Sequence, residues 1–160
     1  MVEKVISGGQ TGVDRMGLEV AKELGIPTGG TAPPNYWTEI GRDLSLRDFN
    51  VQEIDPLKQW SASAKTFYVP RTYCNVQDSD GTVYFSYTNK SAGLRTTTAA
   101  CLANKKPYII NPSVEELCSF IEENDIKILN VAGNRGSKIP LENLEEFKNR
   151  LKEALKKNGE

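Results

Sequence analysis

The chain has 160 residues, of which 38% are hydrophobic and 26% are charged, and its formal net charge at pH 7 is −1. This length and composition predict one globular domain, spanning residues 1–160, with a single core. The near-neutral charge argues against a general nucleic-acid or membrane-surface binder, because phosphate backbones and anionic lipids require a broad basic face.

Some kinds of site are excluded by the residue types that the chain lacks. It has no histidine, which removes Ser-His-Asp and Cys-His nucleophilic schemes and every His-based metal site. Cys74, Cys101 and Cys118 lie far apart and form no Cys-x-x-Cys pair, so we expect reduced packing thiols in a cytoplasmic protein. No apolar run approaches the roughly 20 residues that a membrane-spanning helix needs, and the N-terminus has no signal-peptide pattern.

The first part of the chain predicts a strand, a helix and a less regular stretch. Residues 2–7 form a short, mostly apolar strand. Apolar residues then recur at helical spacing from Val13, which predicts a helix that ends near Gly25. Between Thr28 and about Lys65 the pattern is less regular, and paired glycines and prolines interrupt it.

The second part predicts a regular alternation of strands and helices. The elements are a strand over 82–87, a helix over 91–103, a strand over 108–110, a helix from a Ser113–Glu116 capping box to about 123, a strand over 127–132 and a C-terminal helix from Pro140. Alternation of this kind predicts an α/β fold with βαβ units and a mainly parallel sheet. In such folds ligands bind at the carboxyl ends of the strands.

The strongest signal for a ligand is the segment Ser7-Gly8-Gly9-Gln10-Thr11-Gly12, which joins the first strand to the first helix. We call it the glycine loop. Its glycines let the backbone approach a ligand closely, and the free N–H groups of a helix start favour an anion. Gln10 and Thr11 can add side-chain hydrogen bonds. The loop is neither a Walker A sequence nor the GxGxxG dinucleotide fingerprint.

The alternative interpretation of the glycine loop is a tight turn with no ligand. Thr11 would then cap the helix, and Asp14 would complete a capping box. Capping alone does not require Gly8-Gly9, so we favour the anion site. Arg15 either clamps the anion or is a solvated residue of the first helical turn.

A second polar segment, Arg71–Gly81, precedes the strand predicted at 82–87. Its last four residues, Asp78-Ser79-Asp80-Gly81, have good turn chemistry, which accounts for the two acids. A turn does not account for Arg71, Thr72 and Asn75. We expect these three to present polar groups on a segment that faces the sheet.

Two further segments at strand ends carry residues of the same kind. Ser91–Thr97 opens a helix with small residues, hydroxyls and Arg95, which suit phosphate or carboxylate. A serine cap followed by a closely packed helix explains it equally well, and the two interpretations are compatible. Asn130–Lys138 places Arg135 and Lys138 beside a glycine turn. Four such loops at one sheet edge predict a shared binding site.

The four segments SGGQTGVDR, PRTYCNVQDSDGT, Ser91–Thr97 and LNVAGNRGSK, in this order, resemble the molybdenum cofactor carrier family. That family belongs to the circularly permuted YpsA-like branch of the SLOG superfamily. The resemblance implies a three-layer Rossmann-like domain in homo-oligomers. It also implies binding of the molybdenum cofactor (a pterin dithiolene with a terminal phosphate), of molybdate, or of a nucleotide. Its partners would be molybdoenzymes or proteins of cofactor synthesis, and neither nucleic acid nor membrane.

The resemblance and the residue-level arguments together define a set of candidate binding residues. The set comprises Gly8, Gly9, Gln10, Thr11 and Gly12 with Arg15 at the phosphate or oxyanion; Arg71, Asn75, Asp78, Ser79 and Asp80 on the neighbouring wall; Ser91, Gly93, Arg95, Thr96 and Thr97 at the second helix start; and Arg135, Ser137 and Lys138 closing the site. We assign no catalytic residue and no metal ligand.

The chain departs from the pattern of that family in two places. Relatives tend to carry a basic residue shortly after the double glycine and an acid before the next glycine, where this chain has Pro34-Asn35-Tyr36 and Ile40-Gly41. After Ser91-Ala92-Gly93, it has Leu94-Arg95 in place of Gly-Thr or Glu.

Three functions are compatible with these residues. A carrier that shelters and hands on molybdenum cofactor is favoured, because the chain has no evident pair of nucleophile and base. The second is a nucleotide-processing hydrolase, in which Asp78 or Asp80 would be a general base with a pKa raised by burial. The PGGxGTxxE motif of the SLOG phosphoribohydrolases is absent. The third is a nucleotide sensor without catalysis.

Overall fold

The structure is a computed structural model that describes residues 1–55 and 68–160, and strands and helices alternate within these ranges. The strands are β1 (Lys4–Ile6), β2 (Thr28–Ala32), β3 (Trp37–Thr38), β4 (Gly41–Arg42), β5 (Val51–Glu53), β6 (Gly81–Phe85), β7 (Tyr108–Ile110) and β8 (Ile128–Gly133). The α-helices are α1 (Val13–Glu23), α2 (Tyr68–Gln77), α3 (Ala92–Ala103), α4 (Val114–Glu123) and α5 (Leu141–Asn158).

Six of the strands form a parallel sheet in the order β5-β2-β1-β8-β6-β7. Helices α1, α4 and α5 pack together on one face, and α2 and α3 pack together on the other. The predicted three-layer, Rossmann-like α/β fold is therefore confirmed. In the part of the chain that is described, no helix has both the length and the apolar character needed to cross a bilayer.

The main core lies between the sheet and the layer of α1, α4 and α5. Alternate strand residues face it, and Val5, Val83 and Leu129 are fully buried there. The rings of Phe85 and Phe147 stack with their centroids 4.9 Å apart, which joins β6 to α5. Burial of these apolar side chains holds the strand ends in fixed positions.

The opposite face of the sheet is more polar. The amide of Asn130 donates to the hydroxyl of Thr82 at 3.1 Å, and both side chains are buried. The thiols of Cys74 on α2 and Cys101 on α3 are buried, and the thiol of Cys118 on α4 is half-buried. The prediction that the cysteines are packing residues is confirmed.

Several predicted elements match the structure closely. The strand β7 has the predicted bounds. The capping box of α4 is present, since Ser113 Oγ accepts the N–H of Glu116 at 3.1 Å and the Glu116 carboxylate accepts the N–H of Ser113 at 2.9 Å. These features depend on residues close together in the sequence, which explains why local patterns predict them.

The prediction of an irregular stretch from Thr28 is wrong for its described part, because β2 and β5 belong to the main sheet. Gly30 has φ 129, and a Cβ there would lie 2.1 Å from the carbonyl oxygen of Ser7. The glycine therefore allows β1 and β2 to approach closely and does not interrupt the strand. Residues 56–65 of that prediction lie outside the described residues.

The segment predicted only as polar residues facing the sheet is the helix α2. Pro70 lies in its first turn, where a helix tolerates proline because that backbone N–H needs no helical partner. The helix begins at the carboxyl edge of the sheet, beside the glycine loop, and ends at the amino edge, beside the start of β6. Arg71, near its start, therefore lies beside the glycine loop, and Asp80, just after its end, lies at the opposite edge of the sheet.

Candidate functional site

The candidate site lies at the carboxyl ends of β1, β8 and β6, which are neighbours in the sheet. The helix that follows β8 covers one face of the sheet, and the helix that follows β6 covers the other. Because the chain leaves these neighbouring strands toward opposite faces of the sheet, a crevice opens at the strand ends, where α/β proteins bind ligands. The glycine loop, the start of α3 and residues 134–138 meet there, as predicted.

The paired glycines of the glycine loop are required by side chains that pack against them. A Cβ on Gly8 would lie 1.6 Å from Nη1 of Arg71. Gly9 has φ 75, and a Cβ there would lie 2.7 Å from a methyl carbon of Leu46. Close packing therefore explains both glycines, whereas we predicted that a ligand would explain them.

The N–H groups around the glycine loop bind acceptors within the chain. The N–H of Gly9 donates to Oγ of Ser7 at 3.3 Å, and the N–H of Gln10 donates to the Asp14 carboxylate at 3.3 Å. The N–H of Thr11 donates to Oε1 of Gln10 at 3.0 Å, and the N–H of Val13 donates to the carbonyl of Asn134 at 3.1 Å. The prediction of free donors is wrong for these four groups. The alternative, in which Thr11 caps α1 and Asp14 completes a capping box, is wrong as well. The N-cap of α1 is Gly12, and no side chain caps this helix.

Arg71 neutralises a buried carboxylate beside the glycine loop. Its Nη1 lies 2.9 Å from Oδ2 of Asp14, and the two side chains are 14% and 5% exposed. Burial raises the pKa of Asp14, and the charge and hydrogen bond of Arg71 oppose this increase. The structure thus places Arg71 in the crevice, as predicted, in an ion pair with an acid that we had considered only as a helix cap.

Arg15 is half-buried and binds side chains of the chain itself. Its guanidinium contacts the Asp43 carboxylate at 3.0 Å and the Ser45 hydroxyl at 2.7 Å, and it lies 4.7 Å from the centre of the Phe49 ring. It also pairs with Glu19 at 3.0 Å. The prediction of a solvated residue is wrong because the segment 43–49 packs beside α1, which the sequence pattern did not show. The role of Arg15 as an anion clamp stays a prediction.

Glu39 is one of two side chains of the site that the sequence pattern did not indicate. Its carboxylate accepts hydrogen bonds from the hydroxyl of Thr11, and from the N–H of Ser137 at 2.9 Å and the hydroxyl of Ser137. Nε of Arg135 lies 3.5 Å from the same carboxylate. We considered an acid only directly before Gly41, where the chain has Ile40. Glu39, one residue earlier, is the acid that the structure places in the site.

The environment of Glu39 favours its ionised form. Partial burial raises its pKa, but the hydrogen bonds from Ser137 and Thr11 and the charge of Arg135 outweigh this, so the pKa lies below the ordinary value for Glu. Thr11 is also an acceptor, for the N–H of Gly136 at 3.0 Å. At neutral pH a carboxylate anion is therefore held between the glycine loop and residues 135–137. Lys138 is exposed beside them.

The start of α3 combines a helix cap with a buried tyrosine. Ser91 Oγ accepts the N–H of Leu94 at 2.9 Å, which confirms the cap, and lies 3.2 Å from the hydroxyl of Tyr84. A Cβ on Gly93 would lie 2.8 Å from that hydroxyl. Burial raises the pKa of Tyr84, and Asp14 is close enough for its charge to raise it further. Tyr84 is a second residue of the crevice that the sequence analysis missed.

The remaining predicted residues of α3 are divided between helix contacts and solvent. The hydroxyl of Thr96 donates to the carbonyl of Ala92, four residues earlier, at 3.0 Å. Thr97 is buried, and Arg95 is exposed. Of these three, Arg95 is the side chain that extends into solvent at this end of the helix.

Asn75 and the three residues Asp78, Ser79 and Asp80 do not line the crevice. Asn75 is buried and exchanges two hydrogen bonds of 2.9 Å with the backbone of Thr31. Oδ2 of Asp80 accepts the N–H groups of residues 127 and 128, at the amino end of β8. The hydroxyl of Ser79 donates to the carbonyl of residue 76, and Asp78 is exposed. The prediction that these four residues form a wall beside the glycine loop is wrong, because α2 carries them away from it.

Replacing Asp80 by alanine is expected to lower stability and to leave anion binding unchanged. The N–H groups of Lys127 and Ile128 would lose their side-chain acceptor, at a cost of about 1–3 kcal/mol. Asp80→Asn keeps an oxygen at this position, so its loss should be smaller. Urea denaturation measures the stability, and calorimetric titration with phosphate measures the binding. A loss of nucleotide turnover in both variants would contradict this assignment.

Comparison with known proteins identifies relatives of the whole chain. The model of the Circularly permutated YpsA SLOG family matches residues 5–155. A solved structure from Syntrophus aciditrophicus SB, named "Putative molybdenum carrier protein", superposes with a TM-score of 0.75 and 31% sequence identity. The match covers 98% of this chain and 94% of the other. No curated protein matches significantly. The chain belongs to the circularly permuted YpsA family of SLOG proteins.

Proposed function

We propose that this protein is a carrier that binds molybdenum cofactor through its phosphate, or molybdate as the free oxyanion. The observation that carries the proposal is the set of donors around the Glu39 carboxylate. Two hydroxyls, one backbone N–H and the guanidinium of Arg135 converge on a single anion at the carboxyl ends of β1 and β8. The same donors suit a tetrahedral oxyanion such as phosphate or molybdate.

Membership of the SLOG family and the name of the Syntrophus protein support molybdenum as the cargo. The residues themselves support only the oxyanion end of the ligand. Thr11 and Ser137 would hydrogen-bond its oxygens, and Arg135 would neutralise its charge. The pterin would extend from there along the crevice toward Tyr84 and the start of α3.

The position of Asp80 favours a carrier over the alternative of a nucleotide hydrolase. The general base proposed for hydrolysis was Asp78 or Asp80, and both lie at the end of α2 away from the glycine loop. Within the crevice, the buried acid Asp14 is already paired with Arg71 at 2.9 Å. A carrier needs no proton transfer, so this arrangement suits binding.

The proposal is tested by titrating the protein with molybdenum cofactor, molybdate, inorganic phosphate, AMP and ATP, while mass spectrometry follows the integrity of each ligand. The donors are tested in Glu39→Ala protein, where the chain's own carboxylate does not compete. We expect Thr11→Val with Ser137→Ala to weaken oxyanion binding about 10-fold or more, because hydrogen bonds to a charged group are lost. Ser119→Ala, which removes an exposed hydroxyl of α4, is the control.

Two results would contradict the proposal. One is that no phosphorylated ligand or oxyanion binds to the wild-type protein or to Glu39→Ala. The other is that the binding in Glu39→Ala is unaffected by the loss of both hydroxyls. Steady conversion of AMP or ATP would instead favour the hydrolase.

A further inference from the structure

We infer that Glu39 is an internal competitor of the ligand: its carboxylate occupies the oxyanion subsite of Thr11, Arg135 and Ser137, and the β3–β4 hairpin that carries it must move away when a ligand anion binds. The inference rests on the proposed function and adds to it how access to the site is controlled.

The contacts of Glu39 are those of a bound anion. One carboxylate oxygen accepts from Thr11 and from the N–H of Ser137 at 2.9 Å, and the other accepts from the Ser137 hydroxyl and faces Arg135. The Glu39 side chain is 14% exposed although it belongs to a surface hairpin. A ligand anion that used these donors would have to take the place of this carboxylate.

The hairpin is attached to the glycine loop through few groups. Besides the carboxylate, the backbone N–H of Glu39 donates to Oε1 of Gln10 at 2.9 Å, and the same oxygen accepts the N–H of Thr11. The sequence separation is 28 residues to Thr11 and 98 residues to Ser137. Glu39 therefore connects three distant segments at one point.

The hairpin also has the features of a unit that can move on its own. β3 and β4 pair only with each other in the described sheets, and the hydroxyl of Thr38 donates to the carbonyl of Gly41 at 2.7 Å across the turn. Trp37 and Ile40 are 54% and 83% exposed. Gly41 has φ 112 with no atom within 4 Å of a Cβ position. Among the described residues, the hydrogen bonds that join this hairpin to the glycine loop and to Ser137 are those of Glu39.

This arrangement predicts a preference among ligands. The carboxylate is a monoanion, so a ligand competes well only if it offers more charge and more acceptor oxygens to the same donors. A phosphate or molybdate dianion meets this condition, and a simple carboxylate such as acetate does not. The measured affinity for any anion equals the intrinsic affinity multiplied by the fraction of molecules in which Glu39 has left the subsite. The more Glu39 occupies the subsite, the weaker the measured binding.

The test compares the wild-type protein with Glu39→Gln and Glu39→Ala, with inorganic phosphate, molybdate and acetate as probes in calorimetric titrations. We expect both variants to bind phosphate and molybdate about 10-fold more tightly or better, and to bind acetate measurably. Glu123→Ala removes an exposed carboxylate at the end of α4 and should leave all affinities unchanged. Circular dichroism checks that each variant is folded.

Movement of the hairpin is measured by the fluorescence of Trp37, in a Trp60→Phe background that leaves one tryptophan. Saturating phosphate should shift the emission of the wild-type protein toward that of ligand-free Glu39→Ala. The inference is overturned if the wild type binds phosphate and both variants bind it equally or more weakly, because Glu39 would then not compete. Failure of every probe on every protein would overturn the proposed function as well, which is a distinct result.

Discussion

Replacing Gly12 by alanine is expected to destabilise the protein by about 2–5 kcal/mol, the sum of backbone strain and overpacking. Gly12 is the N-cap of α1, with φ 82 and ψ −129. A Cβ there would lie 2.4 Å from the carbonyl oxygen of Asn134 and 2.7 Å from the amide nitrogen of Gly136. Both are backbone atoms that cannot rotate away, so the glycine loop and residues 134–136 would have to separate. Urea denaturation followed by circular dichroism measures the loss.

The control for this variant is Gly25→Ala. Gly25 also has a positive φ, 74, but no atom lies within 4 Å of a Cβ position. Its replacement should cost only the conformational strain, about 1–2 kcal/mol. Equal losses for Gly12→Ala and Gly25→Ala would show that the crowding at Gly12 relaxes without cost, and that the contact between the two loops is not tight.

Replacing Arg71 by methionine is expected to cost about 3–5 kcal/mol at pH 7, because it leaves the Asp14 carboxylate buried without a counter-charge. Methionine keeps much of the length and apolar volume of the side chain. The ion pair measures 2.9 Å, and the Asp14 side chain is 5% exposed, so solvent does not replace Arg71. Thermal and urea unfolding across a range of pH measure the effect.

The pH dependence of this variant has a defined sign. Burial raises the pKa of Asp14, and the charge and hydrogen bond of Arg71 lower it. Without Arg71, the pKa of Asp14 therefore rises further above its value in the unfolded chain. The penalty is then present at pH above the folded-state pKa, and it is lost as the pH falls through that pKa toward the unfolded value of about 3.9. The stability difference from the wild type should therefore shrink on acidification.

A double variant tests whether the two residues act as a pair. Asp14→Asn with Arg71→Met removes both charges, and its loss of stability should be smaller than the sum of the two single losses. Additive losses together with a deficit that does not depend on pH would contradict the assignment of Arg71 as the counter-charge of Asp14. In that case Arg71 would stabilise the protein only through its packing against Gly8.

The parts of the fold that the sequence predicted correctly depend on local patterns. Alternating apolar runs predicted the α/β class, β7 has the predicted bounds, and the pair Ser113 and Glu116 predicted the capping box of α4. The prediction for 28–65 did not include β2 and β5, because paired glycines typically interrupt a strand. Gly30 instead lies within β2, where the backbone of Ser7 comes too close for a side chain. Spacing within one segment does not reveal such an approach.

Outside residues 28–80, the sequence by itself determined the alternation of strands and helices, and therefore the edge of the sheet where the crevice lies. It also placed the glycine loop, Ser91 and residues 135–138 at that edge. Only the tertiary structure decided which side chains meet there. Because α2 is a helix of ten residues and about 15 Å long, Arg71 lies near the glycine loop while Asp80 lies near the opposite edge. The contacts of Glu39 join segments that are 28 and 98 residues apart, a separation at which neither periodicity nor turn chemistry carries information.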